Sequence, residues 1–155
     1  MDKNKFLLSS YFFLVFIPLL LGAVIYIFFR DDNSIIINKI LYEYCQFNYL
    51  VILKKILNEN IKISYFTKYS LPDGLWLFAF GNCLMLNKFY YFFHFKNYTN
   101  IFLIVLSIEF MQANPYFNFG TFDFNDIYAY AIAYFFSSII CYNNYKKCLK
   151  NNNWE

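Results

Sequence analysis

The chain has 155 residues, of which 60% are hydrophobic, 26% are aromatic and only 15% are charged. Together with a mean hydropathy of +0.37, this composition excludes an ordinary soluble globular domain and is typical of a small multispanning membrane protein. The formal net charge of +3 is mild and the lysines are spread along the chain, which excludes a basic surface for nucleic acid. We therefore expect an all-α integral membrane bundle of about four transmembrane helices.

The first predicted membrane helix runs from about Phe6 to Phe29. It is long enough to cross a hydrocarbon core of ~30 Å and exceeds the apolar region of about 7–15 residues in a cleaved signal peptide. Charged and polar residues follow it directly, in place of a small-residue cleavage site. We interpret residues 1–30 as an N-terminal membrane anchor that is not cleaved, with Pro18 and Gly22 as points where the helix can kink.

Residues 31–69 do not fit a crossing helix. Apolar residues recur there at spacings near three and four, but Lys39, Glu43, Lys54 and other polar side chains interrupt the apolar face. Each lysine at the centre of a membrane would cost about 2.5–3.5 kcal/mol on insertion scales. The pattern favours an interfacial amphipathic connection, and the alternative is a fifth span within residues 35–57.

The next apolar stretch begins at Ser70 and continues to about Leu86. Ser70 lies three residues before Asp73, which predicts a capping box, and the intervening proline is tolerated in a first helical turn. Trp76 is a residue type that favours the membrane interface. Because this second span is short, we expect it to be tilted or only partly embedded.

Two further spans follow. The third covers about Tyr98 to Gln112 and ends at an Ala-Asn-Pro segment, because proline lacks the amide donor and disfavours helical geometry in the residue before it. The fourth span runs from Asp123 to about Tyr142. Residues 143–155 contain three lysines and are predicted to form a basic cytoplasmic tail.

The residue types that most often hold metal ions predict no site. The single histidine, His94, has no nearby His, Cys or acid and is interpreted as an interfacial residue in a polar turn. The four cysteines show neither a C-x-x-C pair nor a metal-ligand spacing; they are Cys45, Cys83, Cys141 and Cys148. We predict no metal and no cofactor.

The distribution of lysine predicts the orientation. Lysines flank both chain ends and occur between the second and third spans, whereas residues 113–122 contain neither Lys nor Arg. By the positive-inside rule, both termini are cytoplasmic. Arg30 and the lysines of residues 31–69 oppose this rule, but that connection is long and carries acids of its own.

Four acidic side chains lie at the ends of the predicted helices: Asp73, Glu109, Asp123 and Asp126. We call them the acidic cluster. In consecutive spans, the start of the second, the end of the third and the start of the fourth lie on one side of the bilayer, whichever way the protein is oriented. The lysine distribution predicts that this side is extracytoplasmic.

Each acid has a structural and a functional interpretation. Asp73, Asp123 and Asp126 lie in first helical turns, where carboxylates accept free amides and complement the helix dipole by about 0.3–1 kcal/mol. Glu109 differs, because it lies near the carboxyl end of its helix and inside the apolar boundary. A carboxylate there needs a cation, strong hydrogen bonds or a proton.

A polar notch is predicted around Glu109. Gln112 lies three residues further along the same helix face and can donate two hydrogen bonds. Asp126 and Tyr130, four residues apart, can face this pair from the fourth span. We predict a functional role for Glu109, while both interpretations stay open for Gln112 and Asp126.

The sequence E-F-M-Q of residues 109–112, followed after a short loop by G-T-F-D-F-N-D of residues 120–126, resembles the core of the VanZ-like membrane proteins. Those proteins share an E-x-x-Q sequence, a short loop and an aspartate that opens the last helix. Residues 71–76, L-P-D-G-L-W, resemble the opening helix of that core, so the resemblance covers residues 70–142. Many members carry a basic residue in the loop before the aspartate, and this chain has none.

The resemblance implies a bacterial cell-envelope protein of the inner (cytoplasmic) membrane. The type member of the family is associated with low-level resistance to teicoplanin, a lipid-tailed glycopeptide. The resemblance implies no particular reaction.

Three functional hypotheses follow. The first is a protein that binds an amphiphile or lipid headgroup at the outer leaflet without catalysis and lowers susceptibility to lipoglycopeptide-type antibiotics. Its predicted contacts are acidic, amide and aromatic side chains: Asp73, Trp76, Glu109, Gln112, Asp123, Asp126 and Tyr130, with Phe117 and Phe119 as further apolar contacts. The first hypothesis is preferred, because no nucleophile setting or metal set points to an enzyme.

The second hypothesis is an intramembrane enzyme that acts on a lipid or lipid-linked envelope precursor, with Glu109 and Asp126 as its acid and base. The third is a structural membrane subunit whose acids only cap helices. The oligomeric state stays open under all three.

Overall fold

The computed structural model describes residues 9–30, 48–86, 91–114, 116 and 122–150, and these residues form helices and no strand. The helices are α1 (Ser9–Phe29), α2 (Asn48–Asn60), α3 (Tyr65–Tyr69), α4 (Leu71–Leu86), α5 (Tyr91–Gln112) and α6 (Phe124–Lys150). The all-α prediction is therefore confirmed. Residues 31–47 of the predicted interfacial connection lie outside the described residues, as do Phe117 and Phe119.

Among the described residues, two helices are long and apolar enough to cross a membrane. They are α1 and the part of α6 from Phe124 to Asn143. Helix α4 has 16 residues and measures about 24 Å at the helical rise per residue, less than a hydrocarbon core of ~30 Å. Two candidate membrane helices are shown, and the bundle of four spans stays a prediction.

Helices α5 and α6 are longer than the predicted spans. Helix α5 begins at Tyr91 instead of Tyr98, so the segment around His94 that was expected to form a polar turn is helical. Helix α6 continues beyond Tyr142 to Lys150. Neither segment contains glycine or proline, and lysines near a helix carboxyl end complement its dipole.

Helix α1 contains a π-helical turn at Phe12–Phe16. The amide of Ile17 donates to the carbonyl of Phe12, five residues earlier. Pro18 follows directly and has no amide donor, and its ring conflicts with the preceding turn of a regular α-helix. The wider turn accommodates the proline, so the irregularity expected near Pro18 occurs just before it.

Helices α1, α4, α5 and α6 pack side by side, with α4 in contact with the other three. Helices α5 and α6 are antiparallel, because Thr99 bonds to Tyr134 at 2.9 Å while Glu109 bonds to Asp123 at 2.9 Å. This alternation brings the carboxyl end of α5 to the amino end of α6.

The core between α4, α5 and α6 contains polar side chains. Asn82 is 1% exposed, and its amide donates to the carbonyl of Phe78 at 2.8 Å and to Ser137 Oγ at 3.2 Å. Tyr98 is fully buried beside it. Hydrogen bonds between helices are a common device of packing in membranes, where burial of apolar surface supplies little driving force.

Gly81 allows α5 to approach α4. A Cβ atom at this position would overlap Cε2 and Cζ of the buried Tyr98 ring. We expect Gly81→Ala to lower the free energy of unfolding by about 1–3 kcal/mol, because an overpacked core must shift. Unfolding of the purified protein in detergent micelles would measure this.

The matched control for this substitution is Ala131→Leu, which enlarges an exposed side chain on α6 and should leave stability nearly unchanged. Tyr98→Leu combined with Gly81→Ala should recover part of the loss. Equal stability of Gly81→Ala and the parent protein would show that α4 and α5 do not pack this closely.

Candidate functional site

The acidic cluster lies at the end of the bundle where α1 and α5 end and α4 and α6 begin. Asp73 is close enough to Glu109 and Asp126 for electrostatic interaction. Glu109 in turn interacts with Asp123 and Asp126. The structure thus brings the four predicted acids together, from three different helices.

Glu109 has a structural partner. Its side chain is 4% exposed, and Oε1 accepts the backbone amide of Asp123 at 2.9 Å. A hydrogen bond to an ionised carboxylate is about twice as strong as a neutral one. Because Asp123 directly precedes α6, this bond joins the end of α5 to the start of α6. It engages one of the two carboxylate oxygens of Glu109.

Asp123 caps helix α6. Its Oδ1 accepts both the backbone amide and the side-chain amide of Asn125, each at 2.9 Å, which is the role of an N-cap residue. On its outer side, a hydrogen bond with Asp123, together with desolvation, raises the pKa of the Tyr65 hydroxyl. Asp123 therefore has the structural role that its position predicts.

The capping box predicted at Ser70 and Asp73 is not formed. Ser70 has helical dihedrals of −97° and −34°, and its amide donates to the carbonyl of Phe66 at 3.0 Å. An N-cap residue requires extended geometry, whereas here α3 runs directly into α4. The fully buried Ser70 hydroxyl has no hydrogen-bond partner among the described residues. It lies next to the Asp126 carboxylate in a geometry that falls short of a hydrogen bond.

Two more buried polar atoms in this region lack a partner among the described residues: Asp126 Oδ1 and Arg30 Nε. Arg30 interacts electrostatically with both Asp73 and Asp126. Its guanidinium carbon lies 4.7 Å from the centre of the Tyr26 ring, within the range of a cation–π contact. The charge of Arg30 therefore acts on both Asp73 and Asp126.

Arg30 is absent from the predicted site, because from the sequence it is only a charge that opposes the positive-inside rule. The alternation of helices is the signal that could have identified it. If consecutive spans reverse direction, the end of the first span lies beside the start of the second. Arg30 directly follows α1 and Asp73 lies in the first turn of α4, so the two are expected at the same end of the bundle.

The aromatic residues of the predicted site lie on either side of Asp73. Tyr130 interacts electrostatically with Asp73 and with Arg30. Trp76 packs on Tyr26 with ring centres 5.4 Å apart. Gly22 permits this contact, because a Cβ atom there would lie 2.6 Å from Trp76 Nε1. Gly22, which was predicted as a kink point, thus allows α1 and α4 to approach each other closely.

Gln112 is half-buried at the end of α5, and its predicted pairing with Glu109 stays a prediction. Within the described part of the chain, no group of three or more His, Cys, Asp or Glu side chains is arranged to hold a metal ion.

Replacement of Ser70 tests whether its hydroxyl caps α4. Because its hydroxyl forms no hydrogen bond, Ser70→Ala should leave the free energy of unfolding unchanged or raise it, since it removes an unsatisfied buried group. Asp123→Ala is the matched comparison and should cost about 0.5–2 kcal/mol, because it removes an N-cap. Unfolding in detergent would measure both. A comparable loss for Ser70→Ala would mean that Ser70 caps α4 after all.

No family model matches the chain, and no curated protein or solved structure was found to match it. The resemblance to the VanZ-like proteins therefore rests on the sequence motifs alone.

Proposed function

We propose that this chain is a VanZ-like integral membrane protein of the bacterial inner membrane that binds an amphiphile or lipid headgroup at the outer leaflet and lowers susceptibility to lipoglycopeptide-type antibiotics. The observation that carries the proposal is a set of three buried polar atoms without partners among the described residues: Arg30 Nε, Ser70 Oγ and Asp126 Oδ1. They belong to three different elements that meet beside Asp73.

Unpaired buried polar atoms argue for a function because proteins seldom keep them. More than 90% of buried polar groups in folded proteins have a partner, and each unpaired one costs about 1–3 kcal/mol. Violations of this kind concentrate at functional sites, where they persist because the surrounding structure compensates for them. A headgroup with its own donors and acceptors would satisfy these atoms after a small side-chain movement, because all three are buried.

The four acids divide into two pairs under this proposal. Glu109 and Asp123 hold the α5–α6 junction in shape, since each already accepts an amide. Asp73 and Asp126 contact the ligand.

The proposal includes four spans formed by α1, α4, α5 and α6. Large apolar side chains on three of these helices are exposed, among them Phe13 at 61%, Ile104 at 57% and Phe135 at 61%. Such surface is unfavourable in water and suits contact with lipid. Helix α2 carries two adjacent lysines among its apolar residues, which fits the interfacial role. The oligomeric state is not part of the proposal.

The orientation predicts a labelling pattern. In a cysteine-free background, a membrane-impermeant thiol reagent should label Asn114→Cys in intact cells and should label Lys146→Cys only after the membrane is opened. Both side chains are exposed, and the first lies beside the acidic cluster. The opposite pattern would place both termini outside the cytoplasm and the cluster inside.

The envelope role predicts a change in antibiotic susceptibility. A bacterial strain lacking the protein should regain tolerance to a lipid-tailed glycopeptide when it expresses the parent protein. Asp73→Asn and Asp126→Asn should lose this protection, because both remove charge from the ligand-binding pair. The inhibitory concentration, measured at matched membrane abundance, is the readout.

The susceptibility experiment has two controls. Glu59→Gln neutralises an exposed acid on α2 and should protect as well as the parent protein. A glycopeptide without a lipid tail shows whether the effect needs an amphiphile. If the parent protein gives no protection, the envelope role is wrong, and if all variants protect equally, the acids are structural.

A further inference from the structure

A mainly apolar groove of about 580 Å³ runs along α4 from the acidic cluster. Leu19 of α1 and Val105 of α5 line its sides, and Cys83 lines it at the end away from the cluster. Asp73 is the one carboxylate among its lining residues. From Asp73 to Cys83 the helix advances about 15 Å at the α-helical rise per residue.

We propose that this groove holds one alkyl chain of a membrane amphiphile whose headgroup carries an ammonium group, with the ammonium at Asp73. The inference rests on the proposed function, because it names the chemical class of ligand for the same site. It also adds a surface, the groove, that the sequence did not predict.

The sign of the headgroup follows from the local charges. Arg30 interacts electrostatically with both Asp73 and Asp126, so this end of the bundle holds more acidic side chains than basic ones among the described residues. Glu109 adds further negative potential at Asp73. An anionic headgroup would increase the repulsion, whereas an ammonium neutralises it.

The shape of the groove favours a chain over a compact ligand. Clefts between helices are common ligand sites, typically apolar with a few placed polar groups. Here Asp73 and Tyr130 are the lining residues with an oxygen in their side chains, and the remaining lining is almost entirely apolar. Because lipid tails are as apolar as the groove, moving a chain from the bilayer into it releases little free energy. The charged headgroup therefore decides which amphiphile binds.

Trp76 supplies the probe, because it lines the groove and the chain has only two tryptophans. The Trp154→Phe variant leaves Trp76 as the only tryptophan, which is excited selectively at the long-wavelength edge where tyrosine does not absorb. It is reconstituted into phosphatidylglycerol vesicles that contain a small fraction of dibromostearoyl lipid, with either a phosphoethanolamine or a phosphoglycerol headgroup. Bromine quenches tryptophan on contact, so quenching reports occupancy of the groove.

We expect the phosphoethanolamine lipid to quench Trp76 at about two- to fivefold lower mole fraction than the phosphoglycerol lipid, the size of a partly exposed ion pair. Asp73→Asn should abolish this preference. Cys83→Phe and Leu19→Phe, which narrow the groove from exposed positions, should reduce quenching by both lipids. Leu103→Phe, on an exposed face of α5 that does not line the groove, should not.

Equal quenching by the two lipids would overturn the ammonium assignment. Unchanged quenching in both groove-narrowing variants, shown to be folded by thermal unfolding, would overturn the chain site. Headgroup-selective quenching without antibiotic protection would support the ligand class and refute the resistance role. Protection that depends on Asp73 without selective quenching would support the envelope role and refute this ligand.

Discussion

The hydrogen bond between the Asp123 amide and the buried Glu109 carboxylate is the interaction on which the arrangement of the site depends. It fixes the start of α6 against the end of α5, and the N-cap at Asp123 then sets the first turn of α6. Asp126 lies in that turn, and its position beside Ser70 and Arg30 follows from it. Glu109 and Asp123 thus each accept a backbone amide at this junction, and under the proposed function Asp73 and Asp126 contact the ligand.

The surroundings of Asp73 combine several charged and polar groups at one end of the bundle. Arg30 acts electrostatically on two carboxylates, and three buried polar atoms there lack partners among the described residues. An apolar groove leads away from the same carboxylate. A charged end joined to an apolar groove has the polarity of an amphiphile, which is the physical basis of the ligand that we propose.

Much of the helical arrangement could be predicted from the apolar pattern. The long apolar stretches correspond to helices, and reversal of direction at each connection brings the acids together. The ends of the helices were less predictable. Helix α5 includes His94, where the polar residues suggested a turn. The capping box at Ser70 was wrong for a related reason. The spacing of Ser70 and Asp73 is typical of a helix start. Ser70, however, directly follows helix α3 and has helical geometry, whereas an N-cap residue needs extended geometry.

The sequence by itself determined the helical class of the fold and the convergence of Asp73, Glu109, Asp123 and Asp126, because the apolar pattern and the alternating direction of helices are properties of the chain's order. Tertiary structure alone decided which partner each acid has. Whether a carboxylate accepts an amide or lines a groove depends on distances between helices far apart in sequence. Contacts such as those of Gly22 with Trp76 and of Glu109 with Asp123 set those distances, and no local pattern encodes them.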